Sequence, residues 1–418
     1  MNLKAFAIIA AHIMLVIVGY YVLHHYHIIG TMPNNDNLLR WDAYWYYIIK
    51  KDGYQFVPFR TCNMAFFPLF SIIWRATQFS PALISIFNLC LFAGAFMLLI
   101  KQEKISPVFY LFLLAIPSFI FFGLPYSEAL FFFFGTLLLT GYGSGSLMKK
   151  LVGFYFASLV RSVSILFIPA VLLTTVVMHG FKPLNKKAWA EALYSCAASF
   201  GGFLTAAFIQ YFQTGKWFYF LEVQKYWKRH WIFPKLPLST YSPERIMAID
   251  GIAVIIGVVA IYHCLKWTIG KVFKGRDVNT YQNGVTAQVV YSAFILAGTT
   301  LLDVFFTFNL EEGANIWSIN RHLLCTPFAI VFLHWLYKHF APQWREVSAL
   351  VILLVLGIYL TGVFRYYEMV LYYFLFFFSF FIIKYYPHLR YYFIITYVWF
   401  AIVQITFFQE FLLNHWVG

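Results

Sequence analysis

Charge is what this sequence has least of. Asp, Glu, Lys and Arg make up 11% of its 418 residues, where soluble domains carry roughly a quarter, so a water-exposed surface cannot be built from it. The five cysteines (Cys62, Cys90, Cys196, Cys264, Cys325) show neither disulfide nor zinc spacing, and all but Cys62 lie in apolar runs. No Asp-x-Asp pair calls for a divalent metal, no cofactor motif occurs, and no nucleic-acid motif accompanies the basic residues. There is no Asn-x-Ser/Thr sequon, which favours a bacterial source over the secretory pathway. Neither an internal repeat nor a row of charges through mid-membrane is visible, as a transporter would be expected to show.

What is present is apolar. Hydrophobic residues are 62% of the chain, mean hydropathy is +0.73, and fifty Phe and thirty Tyr suit a lipid-facing surface with interfacial belts. Runs of about 20 apolar residues, each able to cross a hydrocarbon layer of about 30 Å, recur from end to end. The expected fold is all-α: one polytopic membrane domain over residues 1–418, with about eleven to thirteen full or partial membrane helices. The first run begins at Leu3 with a single lysine, Lys4, at its start and reads as a retained helix rather than a cleaved signal.

Spans are expected near 4–23, 82–100, 105–123, 126–142, 189–211, 248–266, 285–308, 316–338, 346–364, 367–384 and 391–411. Pro68 and Arg75 break 64–79, which reads as an interfacial or re-entrant helix; Arg161, Ser162 and Ser164 divide 151–178 into two short segments. With the N-terminus inside, the basic loops 101–104, 146–150, 181–187, 271–276 and 337–345 are cytoplasmic, as the positive-inside rule asks, and would favour anionic lipid. The long loops 30–63 and 212–247 lie outside and roof an active site. Asp42, Glu128, Arg161, Glu222, Arg229, Asp303, Arg321 and Arg365 then fall at outer ends, and such a gathering of costly charges points to one external site.

The most specific stretch is LLRWDAYWYYIIKKDGYQF (38–56), followed by NMAFFPLF (63–70). As a helix, it places Asp42 on a face with Trp45, Tyr46 and Ile49, and Arg40, Tyr44, Tyr47 and Lys51 on another. A carboxylate on an aromatic, membrane-side face is partly desolvated, which raises its proton affinity and suits a general base. The plainer alternative is an interfacial helix whose Asp42 pairs with Arg40 or a lysine.

These residues resemble the PIG-V family of GT-C glycosyltransferases, which includes GPI mannosyltransferase II. The resemblance rests on RWDAYWY, DGY and AFFPL, on PYSEALFFFF (125–134), on SLVRSVSILFIPA (158–170) and on WFYFLEVQKYWKRHWIFP (217–234), in family order over about half the chain. The chain departs from the family after Arg161, where Ser162 and Val163 replace a more polar turn, and it lacks long hydrophilic insertions. The resemblance implies a GT-C fold, a polyprenyl- or dolichyl-phosphate mannose donor, an external site, and a catalytic base at the aspartate of the Trp-Asp pair, here Asp42. In a eukaryote it would imply addition of the second mannose of a GPI precursor in the endoplasmic reticulum. In a bacterium, which compactness favours, it would imply an envelope glycan made at the inner membrane.

Beside Asp42, substrate contacts are expected from Arg40, Trp41 and Tyr46. Glu128 either complements a helix amino terminus, orients an acceptor hydroxyl or a catalytic partner, or does both. Arg161, without an acidic neighbour in sequence, suits a donor phosphate, which its fork can hold by two oxygens. Arg321 and His322 face Asp303 across a loop with Glu311 and Glu312, as a structural ion pair or as a phosphate site. Gln224, Trp227 and Arg229, with Lys228 and His230, stand at helical spacing, as a solvated helix or a sugar and phosphate surface. The expected reaction is inverting transfer of a sugar from the lipid-phosphate donor to a glycolipid or glycan acceptor; the alternative is a lipid-linked-sugar flippase without transferase activity.

Overall fold

The computed structural model describes residues 3–181, 185–238, 244–276, 284–310, 313–314, 316–339, 343–362 and 367–418. Helix dominates at 77%, and eight helices among the described residues are long and apolar enough to cross a membrane. The chain is a multi-pass membrane protein.

The first half runs α1 (Leu3–His25), α2 (Asp42–Asp52), α3 (Pro68–Thr77), α4 (Pro81–Glu103), α5 (Pro107–Leu114), α6 (Glu128–Ser144), α7 (Leu147–Val160), α8 (Phe167–His179) and α9 (Lys186–Thr214). After the one-turn α10 (Tyr219–Glu222) and strand β1 (Arg229–Trp231) come α11 (Glu244–Val272) and α12 (Ala287–Phe305). Strands β2 (Phe306–Leu310) and β3 (Gly313–Ala314) precede α13 (Ile319–Leu324), α14 (Pro327–His339), α15 (Trp344–Leu360), α16 (Tyr367–Tyr385) and α17 (Arg390–Leu412).

Two expected spans are not continuous helices. Residues 105–123 form α5, then a 3₁₀ turn at Pro117–Gly123 that is bent by 100° from α6. Pro117 has no N–H to give the preceding turn and disfavours helical geometry at Ile116. The freed carbonyls of Leu114 and Ile116 accept instead from Gln404 Nε2 on α17, at 2.6 and 2.8 Å. At the next break, Asn88 Nδ2 on α4 donates to the carbonyls of Leu124 and Tyr126 at 2.7 and 2.9 Å. Membrane-depth backbone left unsatisfied would cost several kcal/mol per group, so these amides allow the break. The second expected span, 316–338, divides into α13 and α14 at Pro327.

The two segments expected within 151–178 are there: α7 ends at Val160, Ser162–Leu166 is a 3₁₀ turn, and α8 follows. Helix α3 has ten residues, about 15 Å, half of what a crossing needs. The expected helix at 217–234 is overturned. After α10 and a 3₁₀ turn, the chain extends into β1, which pairs antiparallel with β2, His230 opposite Thr307.

The long loops pack on each other at one end. Ile49, Tyr54, Cys62 and Met64 form a small core with Tyr219 and Val223. Gly53 ends α2 with a φ of 80°, and a side chain there would meet Gln213 Oε1 at 2.7 Å, which accounts for glycine in the Asp-Gly-Tyr motif. Arg75 Nε and Nη2 cap the other open carbonyls of α2, those of Lys50 and Lys51, at 2.6 and 2.9 Å.

At the opposite end the basic loops meet. Gln288 Nε2 donates to Leu139 O and approaches Glu103 Oε1 at 2.9 and 3.1 Å, and Lys338 Nζ reaches Glu103 O at 3.3 Å. Helices α6 and α12 run from one end to the other, so Glu128 and Asp303 lie far from these basic loops.

Candidate functional site

Helix α2 begins at Asp42, so Arg40 and Trp41 precede it rather than share its faces. Trp41 takes a φ of 51°, a conformation that costs a non-glycine residue about 1–3 kcal/mol. It is anchored by its indole Nε1, which donates to His415 O at 3.2 Å, and by an edge-on Trp416. Tyr46 and Ile49 are buried, as the expected apolar face requires.

Asp42 does not pair with Arg40 or a lysine. Its Oδ2 lies 2.5 Å from Arg321 Nη2, a partner 279 residues away. Arg321 Nε lies 2.8 Å from Glu128 Oε1, and Arg161 Nη1 donates to the same oxygen at 2.9 Å. Glu128 therefore bridges two arginines, and only 1% of its side chain is exposed. Arg161, without an acidic neighbour in sequence, has one in space.

Local structure explains why the charges are tolerable. Asp42 and Glu128 each open a helix, where the amino-terminal dipole favours a carboxylate; Arg161 follows the last residue of α7, where the carboxy-terminal dipole favours a cation. The Arg321 guanidinium also lies over the rings of Tyr126 and Phe121, at 5.1 and 5.5 Å. Burial works against its charge, but Asp42, Glu128 and Tyr126 outweigh that and hold Arg321 above the usual arginine range. Its Nη1 is buried with no hydrogen-bond partner among the described residues, as is Arg40 Nε.

Around this quartet stand further polar groups. Tyr46 donates to Ser127 Oγ at 2.8 Å, one residue before Glu128. Burial, with Glu128 and Asp42 adding to it against Arg161, pushes the Tyr46 phenol above its usual value, so it remains a donor. Asp303 holds His322 Nδ1 at 3.1 Å from both carboxylate oxygens. Arg321 turns to Asp42 and Glu128, so of the expected pair it is His322 that holds Asp303. Burial lowers the His322 value, Asp303 opposes this, and Arg161 and Arg321 reinforce it. Arg229, on β1, is near enough to interact with Asp303, Asp42, Arg321 and Arg161.

Other expected residues sit outside the quartet. Gln224 Nε2 donates to Phe220 O at 3.1 Å and stabilises a turn. Trp227 packs edge-on against Trp45 and Phe66, at 5.4 and 5.8 Å, and its Nε1 is buried without a hydrogen-bond partner among the described residues. Glu222 is exposed and pairs with Lys225 at 2.9 Å, away from the site. Arg365, Glu311 and Glu312 lie outside the described residues.

Sequence reasoning missed Asp250. This buried acid on α11 accepts from Asn320 Nδ2 and from the Asn320 backbone N–H, at 2.6 and 3.1 Å, and so positions the residue before Arg321. A lone aspartate in an apolar helix was the available signal. Comparison with protein-family models, with curated proteins and with solved structures finds no match to this chain.

Proposed function

We propose that the protein is a membrane glycosyltransferase of GT-C type. It moves a sugar, mannose on the PIG-V resemblance, from a polyprenyl- or dolichyl-phosphate donor to a lipid or envelope-glycan acceptor on the non-cytoplasmic side, in a bacterial inner membrane. The observation that carries this reading is a carboxylate, Asp42, beside two arginines that share a second, fully buried carboxylate.

Each group then has a role. Asp42 takes the proton of an acceptor hydroxyl as its oxygen bonds to the anomeric carbon, and the bond from that carbon to the phosphate oxygen breaks. The lipid phosphate departs with the bonding pair and is held by Arg161, Arg229 and Arg321. Arg321 Nη1 and Arg40 Nε, buried donors without hydrogen-bond partners among the described residues, are suited to phosphate oxygens. Glu128 keeps Arg161 and Arg321 in place when Arg321 turns from Asp42 to the phosphate. Trp45, Trp227 and Phe66 offer apolar faces to a sugar ring.

The test is transfer of labelled mannose from a short-chain polyprenyl-phosphate donor by purified wild type and Asp42→Asn, with native membrane lipids as acceptors. The amide keeps the shape and cannot act as a base, so the rate should fall by about 10²–10⁴. A near-normal rate in the variant removes Asp42 from the chemistry. Donor movement across vesicles with no transfer by wild type would instead select a flippase.

A further inference from the structure

The end of the bundle away from Asp42 holds a second polar centre. The carboxy-terminal turns of α6 and α8 and the amino-terminal turns of α7 and α9 line a cavity of about 240 Å³. A single water needs about 10–15 Å³ of such space, so there is room for a larger polar group. Val171, Thr174, Ala192 and Ser195 are buried in its wall, while Gly145 and His179 lie exposed at its rim.

Two groups in this wall ask for an anion. Lys150 enters with 8% of its side chain exposed; its ammonium lies 2.5 Å from Glu191 Oε2 and 5.3 Å from the centre of the Tyr142 ring. An ammonium has three donors, and Glu191, itself 32% exposed, takes one. Thr174, 3% exposed, presents a buried Oγ1 with no hydrogen-bond partner among the described residues. Its neighbours differ: Thr175 Oγ1 donates to Val171 O at 2.9 Å and Ser195 Oγ to Glu191 O at 2.8 Å. A hydroxyl left unpaired in a buried wall costs about 1–3 kcal/mol unless something binds it.

The surroundings share the sign. Lys149, Lys186 and Lys187 are exposed on the helix ends that form the rim. The Lys271 side chain comes within 3.4 Å of where a side chain on Gly180 would begin, next to His179. Against these, Glu191 is the acid among the lining residues.

We propose that this cavity binds a phosphate group, that of an anionic phospholipid headgroup or of a soluble phosphate ester, through Lys150 and Thr174 with the basic rim around it. A basic pocket between membrane helices at the positively charged end has the chemistry for such a headgroup. The proposal stands whether or not the protein is a transferase.

Thermal unfolding in phosphatidylcholine nanodiscs, with and without phosphatidylglycerol, tests it, with glycerol phosphate added to lipid-neutral discs as a separate arm. A saturable rise in Tm with phosphatidylglycerol is expected, because a ligand of the folded state stabilises by mass action. Thr174→Val preserves shape and should raise the half-saturating lipid content roughly tenfold, the loss of one hydrogen bond to a charged group. Lys150→Met should lose the response; if it does not fold, the threonine variant decides. An equal response to glycerol phosphate alone assigns the soluble source. No rise with either ligand, or a rise that Thr174→Val keeps in full, overturns the proposal.

Discussion

Buried ion pairs occupy both ends of this bundle, and they are built differently. At the Asp42 end, two acids face two arginines, the acids open helices and Arg161 closes one, so the dipoles of α2, α6 and α7 agree with the charges beside them. At the other end, Lys149 and Lys150 stand in the first turn of α7, where the dipole disfavours cations, and Glu191 answers one of them. The first cluster is locally compensated; the second has more cations than the one acid that answers them. A fold that spends stability on the second arrangement gains an attraction for anions there.

The sharpest way to separate the two ends is to remove one cation from each. Arg321→Met leaves the buried Glu128 with Arg161 alone as its ion-pair partner among the described residues and breaks the pair of Asp42, and should destabilise the protein by about 3–5 kcal/mol, read by thermal unfolding in detergent. Lys150→Met leaves Glu191 with access to water and should cost only about 1 kcal/mol in the same assay. Equal losses would mean that the two clusters are built alike.

Sidedness sharpens the comparison further. Cysteines placed at Asn35 and at Lys149, in a background without the native five, should label from opposite faces of the membrane with an impermeant reagent. Labelling of both from one face would break the two-ended reading. The smallest effect concerns pH. His322 is held below its ordinary value of about 6.5, so its contribution to stability is complete above that pH and declines as pH falls below it, when the unfolded chain binds the proton first. His322→Gln should flatten this part of the pH–stability curve; an unchanged slope would show that His322 does not set it.

Much of this was legible in the sequence, for a physical reason. Asp42, Glu128 and Arg161 each sit where an apolar run starts or stops, and the cost of charge in a membrane makes such residues conspicuous. Their pairing was not legible. The partner of Asp42 lies 279 residues away, and nothing local to RWDAYWY distinguishes Arg321 from Arg40. Hydropathy averaged over a window also hides Pro117 and Pro327: the first break depends on a distant amide, Gln404, that satisfies the freed carbonyls, and at the second the Thr326 hydroxyl donates to Leu323 O. The β1–β2 pairing was hidden in the same way, since the Trp-Lys-Arg-His-Trp stretch is compatible with a helix until Phe306–Leu310 offers it an edge.

The glutamine that mends the break after α5 has a consequence for biogenesis. Gln404 lies 290 residues after Leu114, on α17, so until α17 is made the two carbonyls must find other partners in the translocon or lipid headgroups. The 3₁₀ turn that carries Phe121 beneath Arg321 therefore reaches its final form only when α17 inserts. Completion of the Asp42 end is thus timed by the insertion of α17, and an insertion fault there would read out as a defect more than a hundred residues upstream.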